Sequence, residues 1–145
     1  MKREKFLWPL TQSHHRALMA AKRVREGLAG PSEGVEEALL AELKTLYGEE
    51  LQRHFWDEER ILSLYEARMG REEPEPARIR KDHRLLESLL YKGDRESLLQ
   101  FAEILTAHVR FEEDVLFGRI EQVLGEPEKQ AVDHLLQQGS VSCDS

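Results

Sequence analysis

The chain has 145 residues, 40% hydrophobic and 34% charged, with a formal net charge of −7. That length supports one domain with a real core and is short for two. Its acidic balance argues against binding to nucleic acid or anionic membrane, no stretch could span a bilayer, and the N-terminal apolar run stops at Pro9 and Thr11, too short for a secretory signal, so a cytoplasmic protein is expected.

Residues 1–10 read as an irregular lead-in, with Trp8 and Leu10 available to staple it onto the domain. A first helix, capped by Thr11 or Ser13, runs to about Leu28 and stops at Gly27, Gly30 and Pro31. Ala17, Leu18, Ala21, Val24 and Leu28 share one face of it with His14, whereas His15 falls more than a quarter turn away and is expected on the surface. A second helix opens at Ser32, with Glu36 and Glu37 suited to its N-terminal dipole, and continues to Met69 before Gly70. Leu40, Leu43, Tyr47, Leu51, His54, Glu58, Ile61 and Tyr65 form its apolar stripe, and Gly48 marks a bend.

The segment Arg71 to Pro76 is a proline-punctuated connection. A third helix starts near Pro76 or Ala77 and ends near Tyr91 and Gly93, with Ile79, His83, Leu86, Leu89 and Leu90 inward. A fourth follows an Asp94 cap and reaches Gly125; its stripe is Leu98, Phe101, Leu105, His108, Glu112 and Val115. Glu128 to Gln138 reads as one more amphipathic piece through Val132, Leu135 and Leu136, in which His134 is a packing or surface residue. The reading is all-α: an up-down-up-down antiparallel four-helix bundle with a short C-terminal extra helix, one domain over 1–138 and a disordered tail over 139–145. The only cysteine, Cys143, lies in that tail, which excludes an intrachain disulfide or a thiolate metal cluster.

The four helices alternate between a lone inward histidine and a His-x-x-x-Glu pair: His14, then His54 and Glu58, then His83, then His108 and Glu112. Any one of these is weak, since a lone core histidine is more often a hydrogen-bonded packing residue than a ligand. Together they leave six polar groups in one small core with no inward Lys or Arg to pair them, and bound metal would satisfy all six. Two ions divide the set evenly, each taking two imidazoles and sharing two bridging carboxylates. A bridging oxygen from solvent would then leave one octahedral position open for a small molecule. Imidazole and carboxylate suit iron, manganese or zinc.

The order His14, His54-x-x-x-Glu58, His83, His108-x-x-x-Glu112 resembles the hemerythrin-like family, also called the HHE cation-binding domain, over about residues 10 to 125. The local segments His54 to Leu62, Asp82 to Leu86 and His108 to Phe117 are similar to its signature stretches. The resemblance implies a non-haem di-iron centre, oxo- or hydroxo-bridged, used for binding dioxygen, for sensing oxygen, nitric oxide or iron, or for repairing iron centres. No histidine here has a glutamate three residues before it, which separates the chain from the ferritin-like Glu-x-x-His proteins. Where oxygen-carrying members have a second histidine in the third helix, this chain has Glu87, which could be a seventh ligand, an outer partner or a rim residue. The expected ligand is a diatomic, dioxygen or nitric oxide, in a pocket kept small and apolar by Phe55, Trp56, Phe111 and Tyr47 or Tyr65. A di-iron redox enzyme is the alternative.

Overall fold

A computed structural model of the chain describes residues 3–30 and 34–142, and these are helical with no strand among them. A 3-10 turn, Lys5–Leu7, leads directly into α1, Trp8–Gly27. The N-terminal stretch is thus more regular than its composition suggests. Pro9 sits in the first turn of α1, where the N–H it lacks would have no intrahelical partner, so the helix starts ahead of Thr11 and Ser13 instead of being capped by them. The residues that fasten this stretch are Phe6, Leu7 and Leu10, all buried; Trp8 is 40% exposed and donates its indole N–H to the Arg3 carbonyl.

The second long helix is continuous from Val35 to Met69 but has three parts: α2, Val35–Leu46, a π turn over Tyr47–Leu51, and α3, Gln52–Met69. Ser32, the expected cap, lies outside the described residues. α4 spans Pro74–Lys92, two residues earlier than anticipated, because Pro74 and Pro76 both fit a first turn that needs no N–H donors. Gly70 at φ 76° and Gly93 at φ 67° end α3 and α4 in the left-handed conformation that only glycine adopts freely. The fourth helix is again continuous and again interrupted: α5, Arg95–Phe111, a π turn over Glu112–Leu116, and α6, Phe117–Val123. α7 runs Glu126–Ser142, longer than the expected segment and well into the stretch read as a disordered tail; 143–145, with Cys143, lie outside the described residues.

Each π turn closes with an i to i−5 hydrogen bond, from the Gln52 N–H to the Tyr47 carbonyl and from the Phe117 N–H to the Glu112 carbonyl. The wider turn adds a residue, so the inward stripe slips by about 100° across it. This is why Val115, expected inward, is 43% exposed while Leu116 is fully buried. Upstream of the first π turn the same slip buries Leu39 ahead of Leu40 and leaves Tyr47 half-buried.

The apolar core is divided in two. One cluster holds Ala17, Ala21 and Val24 of α1, Leu51 and Phe55, Leu86 and Leu90 of α4, and Leu98, Phe101 and Leu105 of α5. The other holds Leu10, Ile61, Leu62 and Tyr65, Ile79, Leu116, Phe117 and Ile120, with Val132 and Leu136 of α7. The four long helices cross from one cluster to the other in alternating sense, and His14, Glu58, His83 and Glu112 lie at the crossings. The π-turn phase is directly testable. Leu116→Ala is expected to cost about 2–5 kcal/mol in denaturant unfolding, and Val115→Ala no more than about 0.5 kcal/mol; the reverse order would mean a regular α-helix through this stretch.

Candidate metal centre

All six inward polar residues expected from helical phase meet in the space between the two apolar clusters, each no more than 5% exposed. α1 supplies His14, α3 His54 and Glu58, α4 His83, α5 His108, and the second π turn begins on Glu112. His15 is exposed, as the phase of α1 requires.

The four imidazoles turn their Nε2 atoms inward. Glu58 Oε2 lies 3.2 Å from His14 Nε2 and 2.8 Å from His54 Nε2, while its Oε1 lies 3.0 Å from His83 Nε2 and 3.7 Å from His108 Nε2. Each oxygen of one carboxylate therefore faces its own pair of histidines. Glu112 Oε1 lies 3.1 Å from His14 Nε2 and 3.0 Å from His108 Nε2, spanning the two pairs from another side.

Three of the four Nδ1 atoms face outer carboxylates. His14 meets Glu113 at 2.7 Å, His83 meets Glu59 at 2.9 Å, and His108 meets Asp82 at 3.1 Å. Thr11 also donates its hydroxyl to Glu113 Oε2 at 2.8 Å. A carboxylate on Nδ1–H fixes ring orientation and makes Nε2 a better donor to a cation. Sequence phase does not reveal these groups, because each is one residue off an inward position. The signal that could have found them is the doublets Glu58–Glu59 and Glu112–Glu113 and the pair Asp82–His83.

Aromatic rings brace the imidazoles. Phe55 stacks on His83 with centroids 4.0 Å apart, and Phe117 on His14 at 5.4 Å. Trp56 does not take part: it is 47% exposed between the Arg53 and Arg60 guanidinium groups. Phe111 and Tyr47 are half-buried, and Tyr65 lies wholly within the second apolar cluster. Glu87 is an exposed rim residue outside the His/Glu cluster; burial and its neighbouring charge push the Tyr47 hydroxyl pKa up.

The donor set fits a cation. Both Glu112 oxygens and His108 Nε2 are buried without a hydrogen-bond partner, despite the short approach between them. Orphaned buried acceptors are costly, and a metal ion is a partner that satisfies carboxylate oxygens and imidazole nitrogens together. The ligand-capable atoms form two overlapping groups, His14, His54, Glu58 and Glu112 in one and Glu58, His83 and His108 in the other. The cluster is capable of binding metal ions.

A model of the hemerythrin HHE cation binding domain matches residues 7–120. The chain belongs to this family. No curated protein and no solved structure matches it. Within this hemerythrin-type domain the matched span takes in all six inward residues and leaves α7 outside.

The buried carboxylates and imidazoles also shift one another's protonation. Burial alone would lower the His14 pKa, but the Glu112, Glu113 and Glu58 carboxylates raise it well above 6.5; for His108 burial is likewise outweighed by Glu112, Asp82 and Glu58. Burial would raise Glu58, yet the charge of His54 and bonds to His108 and His14 hold it well below 4.5. The raised histidines stabilise the fold fully below 6.5 and lose that contribution as pH climbs through their folded-state values. Glu58 contributes above 4.5 and ceases to as pH falls through its lowered value. The chelated protein is therefore expected to melt highest in mildly acidic solution and progressively lower toward alkaline pH, while metal affinity, which needs the protons removed, rises. A melting temperature that climbs steadily into the alkaline range would contradict this. The outer carboxylates give a second expectation: Glu59→Gln and Glu113→Gln each weaken metal binding about 10–100-fold, and His15→Ala leaves it unchanged in the same titration.

Proposed function

We propose that this chain holds two iron ions and binds or senses a diatomic ligand, dioxygen or nitric oxide. The observation that carries the reading is the division of Glu58, one oxygen toward His14 and His54 and the other toward His83 and His108. A single ion has no use for that division, whereas two ions would share it as a bridge. The alternating passage of the long helices between the two apolar clusters supports an up-down-up-down antiparallel four-helix bundle, with α7 as an added helix.

A ferrous pair would supply reducing electrons and an open position for a small ligand. The residues around it govern what reaches that position. Both glutamates border a closely packed apolar wall of Leu10, Ile61, Leu62, Phe117 and Ile120. An apolar wall favours an uncharged ligand, and its close packing leaves no open space for an organic substrate of ordinary dimensions. That speaks for binding or sensing over an oxidase acting on larger molecules. With Glu87 exposed and outside the His/Glu cluster, the four imidazoles and two carboxylates make up the proposed ligand set. Iron is assigned on family grounds; the same donors accept manganese or zinc.

Anaerobic loading with ferrous iron should give about two metals per chain by elemental analysis, as the even division of ligands requires. Exposure to oxygen or nitric oxide should then change the near-ultraviolet and visible absorption. One metal at saturation, or a spectrum indifferent to both gases, would overturn the proposal.

A further inference from the structure

The inward residues repeat with two-fold pattern, and so do most of their outer partners. Glu59 follows Glu58 and faces His83 on α4; Glu113 follows Glu112 and faces His14 on α1. Asp82, which precedes His83, faces His108 on α5. The fourth place in this pattern is the residue preceding His14, and its counterpart partner is His54. That residue is Ser13.

Here the pattern breaks. Ser13 is only 5% exposed, its Oγ has no hydrogen-bond partner, and among the described residues no carboxylate is hydrogen-bonded to His54 Nδ1: the nearby Asp57, whose charge His54 feels, is held by Arg53 instead. Ser13 and His54 line one open pocket of about 150 Å³. Its wall also carries three carboxylates, Glu49, Glu50 and Asp57, against the two guanidinium groups of Arg16 and Arg53, which pair with Glu50 and Asp57. An open pocket with an acidic balance of charged groups, and with Pro9, Leu10 and Leu136 as its apolar wall, thus reaches the one inward imidazole whose Nδ1 has no carboxylate hydrogen-bonded to it.

The geometry points to two inequivalent cation positions: the one at His14 and His54 exchanges its divalent cation through the Ser13 pocket, and the one at His83 and His108 retains its own. This rests on the two-ion reading above. The cause lies in the outer groups. Glu59 and Asp82 stand behind both imidazoles of the second position, orienting them and strengthening them as donors. At the first position Glu113 does this for His14 alone, and a neutral hydroxyl cannot supply the charge for His54. The missing carboxylate at the Ser13 place, and not any bond made by Ser13 itself, leaves that half of the centre labile.

Cobalt(II) is a suitable probe because its absorption reports coordination and it is stable in air. The protein loaded with two cobalt ions and mixed with excess chelator should release them in two phases of equal amplitude, separated by about tenfold or more. Ser13→Asp should slow the fast phase about 10–100-fold, and Asp82→Ser should quicken the slow phase by a similar factor so that the two merge. Ser13→Ala should leave both phases in place. Should the buried aspartate prevent folding, the Asp82 variant carries the test alone. A single release phase from the two-cobalt protein, or an Asp82→Ser protein whose slow phase is unchanged, would overturn this inference and leave the two-ion reading standing. Uptake of only one cobalt would overturn both.

Discussion

One carboxylate, that of Glu58, lies between all four inward imidazoles, and the arrangement of the helices answers the need to satisfy it. A buried carboxylate without partners costs several kcal/mol, so it is tolerated only where compensating groups arrive on every side. No single helix can deliver them. His54 comes from the same helix, but His14, His83 and His108 come from α1, α4 and α5, so the group is satisfied only when three other helices are in register. A slip of one residue in any of them would turn its histidine by about 100° and replace it with a neighbour. The polar centre thus does for register what apolar packing does weakly, since leucines can exchange partners and the imidazoles around a buried carboxylate cannot.

The outer carboxylates extend this logic from position to electronic character. Each His-x-x-x-Glu-Glu stretch places its first glutamate in the centre and its second against the lone histidine of another helix, Glu59 on His83 and Glu113 on His14. Adjacent residues on one helix therefore act on both layers of the same site. The N-terminal segment joins in: Arg3 donates to the Glu113 carbonyl and pairs with Glu121, which ties the start of the chain to the π turn bearing Glu112 and Glu113. Thr11, one turn before His14, completes the hold on Glu113.

Much of the centre was legible in the sequence because its inward polar residues obey the rule that places leucines in the core. His14, His54, Glu58, His83, His108 and Glu112 stand in phase with apolar stripes, and phase survives in the fold wherever the helix stays regular. It fails across the π turns: Gly48, read as a bend, marks the first, but the second has no proline or glycine to signal it, and Val115 was assigned the place that Leu116 occupies. It was silent on Glu59, Asp82 and Glu113, since a polar residue beside the stripe looks like solvated surface until another helix is known to bring a ring nitrogen to it. Trp56 shows the opposite error: a large aromatic beside a ligand reads as pocket wall, yet it lies outside between two arginines. Proline was read too strictly as a stop at Pro9 and Pro74, where a first helical turn accommodates it.

The division of the apolar core into two clusters also bears on how the molecule comes apart. Helices usually loosen from their ends, because the middle is where packing is densest. Here each end of the helix assembly has its own contiguous apolar lobe, and the seam between them is held by charged and hydrogen-bonded groups whose strength depends on protons and bound cations. A cation held there would brace a plane across the waist of the protein, between two ends that are packed by apolar side chains alone.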